Sequence, residues 1–197
     1  MTDDSLIELL IAGDHTRAGA GPHLSPEFLG ELVAFTTRYA RLEKMLSGGT
    51  HVAYSPSALG LNLSLAGDIL GQAEDLARLE RARFKLPSGP ILDVDRLIEA
   101  QGVKVIPCRF PAGTETCGGF FFDAELGPCM FHDAALTIAQ RDYVIAHEYG
   151  HFLADFEPYI HTICGHPNPA LVEDMREVRA HQFALAFLMP RVDVEAY

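Results

Sequence analysis

Residues 147–151 read His147-Glu148-Tyr149-Gly150-His151, a pattern that separates two histidines by four positions. In an α-helix, residues four positions apart lie one turn apart on the same face, so both imidazole rings can direct a nitrogen at one metal ion. The carboxylate of Glu148, one position round the helix, then points beside that ion. The spacing predicts a metal site on a helix, with a carboxylate within reach of it.

This arrangement is typical of zincin metallopeptidases. Zinc lowers the pKa of a bound water to about 7, and a nearby carboxylate accepts the proton as the water attacks a polarised peptide carbonyl. The pattern therefore predicts zinc as the cofactor, His147 and His151 as ligands, and Glu148 as the general base.

A catalytic zinc commonly takes three protein ligands and leaves its fourth position to water. Two glutamates beyond His151 can supply the third ligand: Glu177, and Glu173 one helical turn earlier. Ala180, close to Glu177, is small enough to let two helices approach each other. The sequence favours Glu177, with Glu173 as the competing candidate.

The patterns around the motif predict an α+β fold. A capping box formed by Thr137 and Gln140 begins the motif helix, which should end near residue 155. A last helix is predicted over about residues 170–188. Earlier in the chain the patterns predict two shorter helices and three short strands, over residues 68–86, 93–100, 103–110, 118–123 and 129–132.

The N-terminal part of the chain contains one long predicted helix. Ser25, Pro26 and Glu27 are typical of a helix start, and Gly48 with Gly49 ends it. Its apolar residues recur with the spacing of a coiled-coil seam, at Phe28, Leu32, Phe35, Tyr39, Leu42 and Leu46. Such a stripe must be covered, either by a second copy of residues 25–47 or by the protein's own domain, and the spacing leaves both interpretations open.

Composition excludes several classes of function. The 197 residues include 15 Lys and Arg against 27 Asp and Glu, a net charge of −12, and this negative field repels phosphate backbones, so direct nucleic-acid binding is not expected. Residues 45–67, the longest uncharged stretch, are interrupted by polar residues, glycine and proline, so no membrane span is expected. The acidic N-terminus lacks the basic start of a secretory signal, which predicts a cytoplasmic location.

Two blocks of the sequence resemble the ImmA/IrrE family of bacterial and phage metallopeptidases. Members carry a helix of the form A-H-E-x-G-H and then E-x-x-A-x-x-F-A-x-x-L-L-M-P; residues 146–151 and 177–190 fit these blocks, with Phe187 replacing one leucine. Upstream, residues 89–121 contain segments similar to the family's helix-strand-strand lead-in. The resemblance covers about residues 68–190.

The resemblance implies a zincin-like domain over residues 68–197, preceded by a helical region over residues 1–67. It implies that His147, His151 and Glu177 are the zinc ligands and that Glu148 is the general base. Such enzymes are commonly encoded beside a helix-turn-helix repressor that they cleave, so the expected substrate is a DNA-binding repressor. The alternative is a non-catalytic metal-binding regulator acting through protein contacts, but retention of Glu148 favours the enzyme.

The chain departs from the family pattern at two points. His181 occupies a position where members often have Asn or Asp, one turn beyond Glu177; that position normally supports a ligand histidine by a hydrogen bond. His181 is expected to do this differently or to help hold the oxyanion. The sequence also ends at Tyr197, so a wall of the usual cleft is expected to be absent or to come from a partner.

Other residues have weaker claims to a role. His161 and Cys164 lie between the two site helices, and either could block the metal's fourth position, although a surface loop is the leading interpretation of this segment. His132 could donate to the tetrahedral intermediate. Tyr149 and Tyr159 are expected to pack in the core. The cysteines include no C-x-x-C pair and are interpreted as reduced thiols.

Overall fold

A computed structural model describes residues 7, 8, 10, 24–47, 67–114, 116–123, 125–155, 161–165 and 175–191. Within these ranges the chain forms five helices and four strands of defined extent. In chain order they are α1 (Pro26–Ser47), α2 (Ile69–Arg83), α3 (Val94–Glu99), β1 (Lys104–Cys108), β2 (Thr116–Asp123), β3 (Gly127–Asp133), α4 (Ile138–Ala154), β4 (His161–Gly165) and α5 (Met175–Leu188). Among the helices of the described ranges, none has both the length and the apolar character needed to cross a membrane.

The four strands form one mixed sheet in the order β1-β3-β2-β4. Strands β2 and β3 make the predicted hairpin, and β1 lies parallel to β3 on its other side. The α+β class and the three predicted strands are thus confirmed. The fourth strand comes from a segment predicted as a loop; it pairs antiparallel with β2, with Cys164 opposite Gly118, and so satisfies backbone groups that would otherwise lie at an open edge.

Helix α4 begins at the predicted capping box. The Thr137 side chain accepts a hydrogen bond from the Gln140 backbone, and the Gln140 side chain accepts one from the Thr137 N–H at 3.0 Å. These bonds satisfy two of the donors that a helix start leaves unpaired. The helix that carries the motif therefore has the start predicted from sequence, and the two histidines face the same side of it.

The main core lies between α4 and the helices α2 and α5, with one face of the sheet beneath. Tyr149, Phe152, Phe183 and Phe187 are fully buried there and form a chain of ring contacts. Gly150 permits close contact between α4 and α5, since a Cβ at this position would lie only 3.2 Å from the Cα of Ala180. This close approach brings the motif histidines within reach of the glutamate on α5.

The opposite face of the sheet forms a second apolar cluster with α1. Successive residues alternate between the clusters: Phe120 faces the main core, whereas Phe121 and Phe131 join Leu29 and Leu32 of α1. The predicted seam of α1 is therefore covered only in part. Four of its side chains remain exposed to solvent: Phe35 (50%), Tyr39 (37%), Leu42 (58%) and Leu46 (87%).

Candidate metal centre

Three potential ligands converge where α4 faces α5. The Nε2 atoms of His147 and His151 lie 3.2 Å apart. Glu177 reaches across from α5, with Oε2 3.2 Å from His147 Nε2 and Oε1 3.1 Å from His151 Nε2. The structure thus brings together the three residues that the sequence singled out as ligands, and these form one cluster of metal-binding side chains.

The spacing of the three ligands fits a zinc ion. Ligands about 2.0 Å from a tetrahedral metal lie about 3.3 Å from one another. The two histidine nitrogens are 3.2 Å apart, and each lies 3.1–3.2 Å from one of the two oxygens of Glu177. Two imidazole nitrogens and a carboxylate oxygen are donors that zinc accepts. His147 and His151 are buried, whereas the side chain of Glu177 is 21% exposed, so the centre is accessible from the side of Glu177.

The charges within the cluster strongly affect the protonation of its members. Burial lowers the pKa of His151, but the charge of Glu177 and the hydrogen bond that His151 donates to Asp155 outweigh this effect and raise it to about 10. Burial raises the pKa of Glu177, but the neighbouring His151 and His147 bring it well below its ordinary value. The carboxylate is therefore ionised and available as a ligand.

His151 is held from behind by a buried chain of polar groups that sequence reasoning missed. Its Nδ1 lies 2.9 Å from Asp155 Oδ2, and Asp155 in turn forms a buried ion pair with Arg179 on α5. In the neutral ring, a carboxylate at Nδ1 favours the tautomer that keeps the proton on Nδ1 and leaves the lone pair of Nε2 to bind metal. The only sequence signal was the four-residue spacing between His151 and Asp155.

Glu148 is completely buried on α4. Its negative charge contributes to the raised pKa of His151 and, after the larger effect of burial, to that of Cys117 on β2, which reaches about 11. The carboxylate therefore lies close to both the ligand cluster and the start of β2.

His181 does not support a ligand histidine in the way its position suggests. Its Nδ1 lies 2.6 Å from the Oη of Tyr143 on α4, and the Tyr143 ring lies 6.0 Å from that of His147. Within the described part of the chain, His147 Nδ1 is buried and has no hydrogen-bond partner. Burial, with a smaller contribution from His147, lowers the pKa of His181.

Two of the remaining candidates make polar contacts outside the cluster. His132 is buried, with its Nδ1 3.1 Å from the carbonyl oxygen of Asp133. Tyr149 packs in the core as expected and donates a hydrogen bond to Glu80 at 2.7 Å. The backbones of His161 and Cys164 belong to β4, but their side chains, together with Tyr159, His166 and Glu173, lie outside the described residues.

Two facing helices that bring a histidine pair and a glutamate together beside a small sheet define the zincin-like metallopeptidases. A peptidase M78 family model, described as the IrrE N-terminal-like domain, matches residues 98–197. The chain belongs to this family, which confirms the resemblance to the ImmA/IrrE metallopeptidases and supports a metallopeptidase type of function. A search of curated proteins found no match.

Proposed function

We propose that this chain is a zinc-dependent endopeptidase in which His147, His151 and Glu177 hold the metal. The observation that carries the proposal is the convergence of three ligand side chains, whose nitrogen and oxygen atoms approach one another to 3.1–3.2 Å, with the carboxylate of Glu148 buried beside them. Zinc, when bound, polarises the peptide carbonyl and lowers the pKa of water. Glu148 accepts the proton of the attacking water and passes it to the leaving amine.

Metal analysis of the purified protein tests the ligand set. We expect one zinc per chain in the wild type and loss of zinc in His147→Ala and Glu177→Ala. Glu74→Ala is a matched control, because Glu74 lies on α2 and contacts Gln182 rather than the cluster. Cys164→Ala should also retain the metal. If the cysteine variant lost zinc and the glutamate variant kept it, the proposed ligand set would be wrong.

We further propose that the substrate is a DNA-binding repressor. The net charge of −12 complements the basic surface that such a protein presents to DNA, and this complementarity steers encounter with the free repressor. A repressor bound to its operator hides that surface. Cleavage is therefore expected in the cytoplasm and mainly after the repressor dissociates from DNA.

Incubation with any helix-turn-helix repressor found to be encoded beside this protein, with and without its operator DNA, tests this substrate. We expect cleavage by the zinc-loaded protein and slower cleavage when operator is added. Glu148→Gln is the matched negative control. Tight DNA binding by this chain, or zinc binding without cleavage under any salt condition, would contradict the proposal; the latter result would favour the non-catalytic regulator.

We also propose that the exposed part of the α1 seam pairs with a second copy of the chain. Tyr39, Leu42 and Leu46 lie at the 3 and 4 spacing of a two-helix interface, and all are exposed. Sedimentation should show a dimer that Leu42→Glu converts to a monomer; a monomeric wild type would contradict this proposal.

A further inference from the structure

Tyr143 and His181 form a polar pair next to the metal centre. Tyr143 lies one helical turn before His147 on α4, and His181 lies one turn beyond Glu177 on α5. The pair repeats the contact between the same helix faces that builds the ligand cluster. Both side chains are half-buried, so this end of the contact is accessible to a bound substrate.

The hydrogen bond within the pair assigns His181 a task other than support of a ligand. Its Nδ1 is engaged by Tyr143 Oη at 2.6 Å, while the buried Nδ1 of His147 has no hydrogen-bond partner in the described part of the chain. An imidazole that supported His147 would bond to that nitrogen. Support of a metal ligand therefore does not explain why His181 lies beside the metal centre.

The tautomer of His181 follows from which group donates within the pair. When the Tyr143 hydroxyl donates to Nδ1, the proton of the neutral imidazole resides on Nε2. Nε2–H is then a hydrogen-bond donor on a half-buried ring whose orientation the tyrosine fixes. A fixed donor beside a metal site stabilises charge that develops on a substrate oxygen, because it needs no reorganisation at the moment of reaction.

We propose that His181 donates a hydrogen bond from Nε2 to the oxyanion of the tetrahedral intermediate, and that Tyr143 positions it. In this step the water oxygen bonds to the peptide carbon, the carbonyl π electron pair moves onto its oxygen, and the water proton goes to Glu148. His181 keeps its own proton throughout. The inference rests on the proposed peptidase function and assigns a further catalytic residue to it.

The test compares His181→Ala, Tyr143→Phe and the double variant in the cleavage of one peptide. This peptide is the member of a fluorescence-quenched library that the wild-type protein cleaves fastest. His181→Ala should lower kcat about 100-fold, the typical effect of losing one oxyanion donor, with little change in KM. Tyr143→Phe should lower kcat less. The double variant should match His181→Ala, because two residues that act as a unit are not additive.

A phosphinic version of the same peptide gives a readout independent of turnover. Its tetrahedral phosphorus carries oxygens in the geometry of the intermediate, so the variants should lose affinity for it in proportion to their loss in kcat/KM. Gln182→Ala is the matched control, since Gln182 adjoins His181 but contacts Glu74 on α2 at 3.0 Å. That variant should behave as the wild type.

Zinc content decides between the possible failures. Unchanged kcat in His181→Ala at full zinc occupancy would overturn the inference alone, as would a loss of activity explained entirely by lost zinc. Failure of the zinc-loaded wild type to cleave either the library or the neighbouring repressor would overturn the proposed function and this inference with it.

Discussion

The two motif histidines lie one turn apart on the same helix, yet their surroundings differ. His151 is backed by Asp155, which is itself paired with the buried Arg179. His147 has no such support at Nδ1 within the described residues, and its neighbours are the half-buried Tyr143 and His181. The comparison shows that a buried ion pair supports the ring of His151, whereas His147 borders a half-buried polar pair.

The largest loss of activity is expected from Glu148→Gln, which leaves the surroundings of both His147 and His151 unchanged. Only proton acceptance is removed, so cleavage should fall at least about 100-fold, while zinc content and thermal stability stay unchanged. Peptide turnover and metal analysis on the same sample measure this. If the variant retained cleavage, Glu148 would have no part in the mechanism.

Asp155→Ala removes the carboxylate that supports His151 and pairs with Arg179. Zinc affinity should fall about 10- to 100-fold through loss of the bond to His151 Nδ1. The free energy of unfolding should fall by about 3 kcal/mol, because Arg179 becomes a buried charge without its partner. Competition with a chelator and denaturant titration measure the two effects.

Asp155→Asn is the control for that change, since its amide oxygen can still accept from His151. It should lose less zinc affinity than the alanine variant. If the alanine variant bound zinc as tightly as the wild type, the contact between Asp155 and His151 would not contribute to metal binding.

His181→Asn should give His147 a hydrogen-bonded support like the one that Asp155 gives His151. An amide oxygen at this position can accept a hydrogen bond from His147 Nδ1, so zinc affinity should rise, by up to about 10-fold, while kcat falls through loss of the imidazole donor. Gln182→Asn, one position along, should change neither quantity. Zinc affinity and kcat that fell together would argue that His181 supports the metal rather than the substrate.

The smallest effect concerns Cys117, close to Glu148. Burial, with smaller contributions from Glu148 and Asp133, raises its pKa to about 11, so its thiolate fraction and alkylation rate should increase with pH up to that value. Glu148→Gln removes one negative charge, lowers this pKa and should speed alkylation a few-fold at pH 8. Cys108 provides the internal control, because burial and, to a smaller extent, Asp133 raise its pKa to about 11.

Residues that act through local geometry were predictable from sequence. The capping box at Thr137 and the spacing of His147, Glu148 and His151 depend on positions within one helix, and the sequence indicated these directly. The choice of Glu177 over Glu173 needed the expectation that Ala180 lets two helices approach, together with the resemblance to the ImmA/IrrE family. The structure brings Glu177 to the histidines.

Contacts between distant segments were not predictable. Arg179 reaches Asp155 from a different helix, and Tyr143 meets His181 across the same interface; nothing in local periodicity indicates which polar side chains will face each other. Strand β4 was missed for the same reason, because its pairing depends on the edge that β2 presents. The candidate ligands could be predicted from sequence, but the groups that surround His151 and His147 differently could not.

The glycine at position 150 connects helix packing with the choice of ion. A methyl group there would lie 2.9 Å from Phe183 Cδ1 and 3.2 Å from the Ala180 Cα, so alanine would force α4 and α5 apart by a few tenths of an ångström. That displacement is comparable to the difference in radius between small and large divalent ions. The absent side chain thus sets the separation of the two helices that carry the ligand cluster, and a larger residue at position 150 would move Glu177 away from the two histidines.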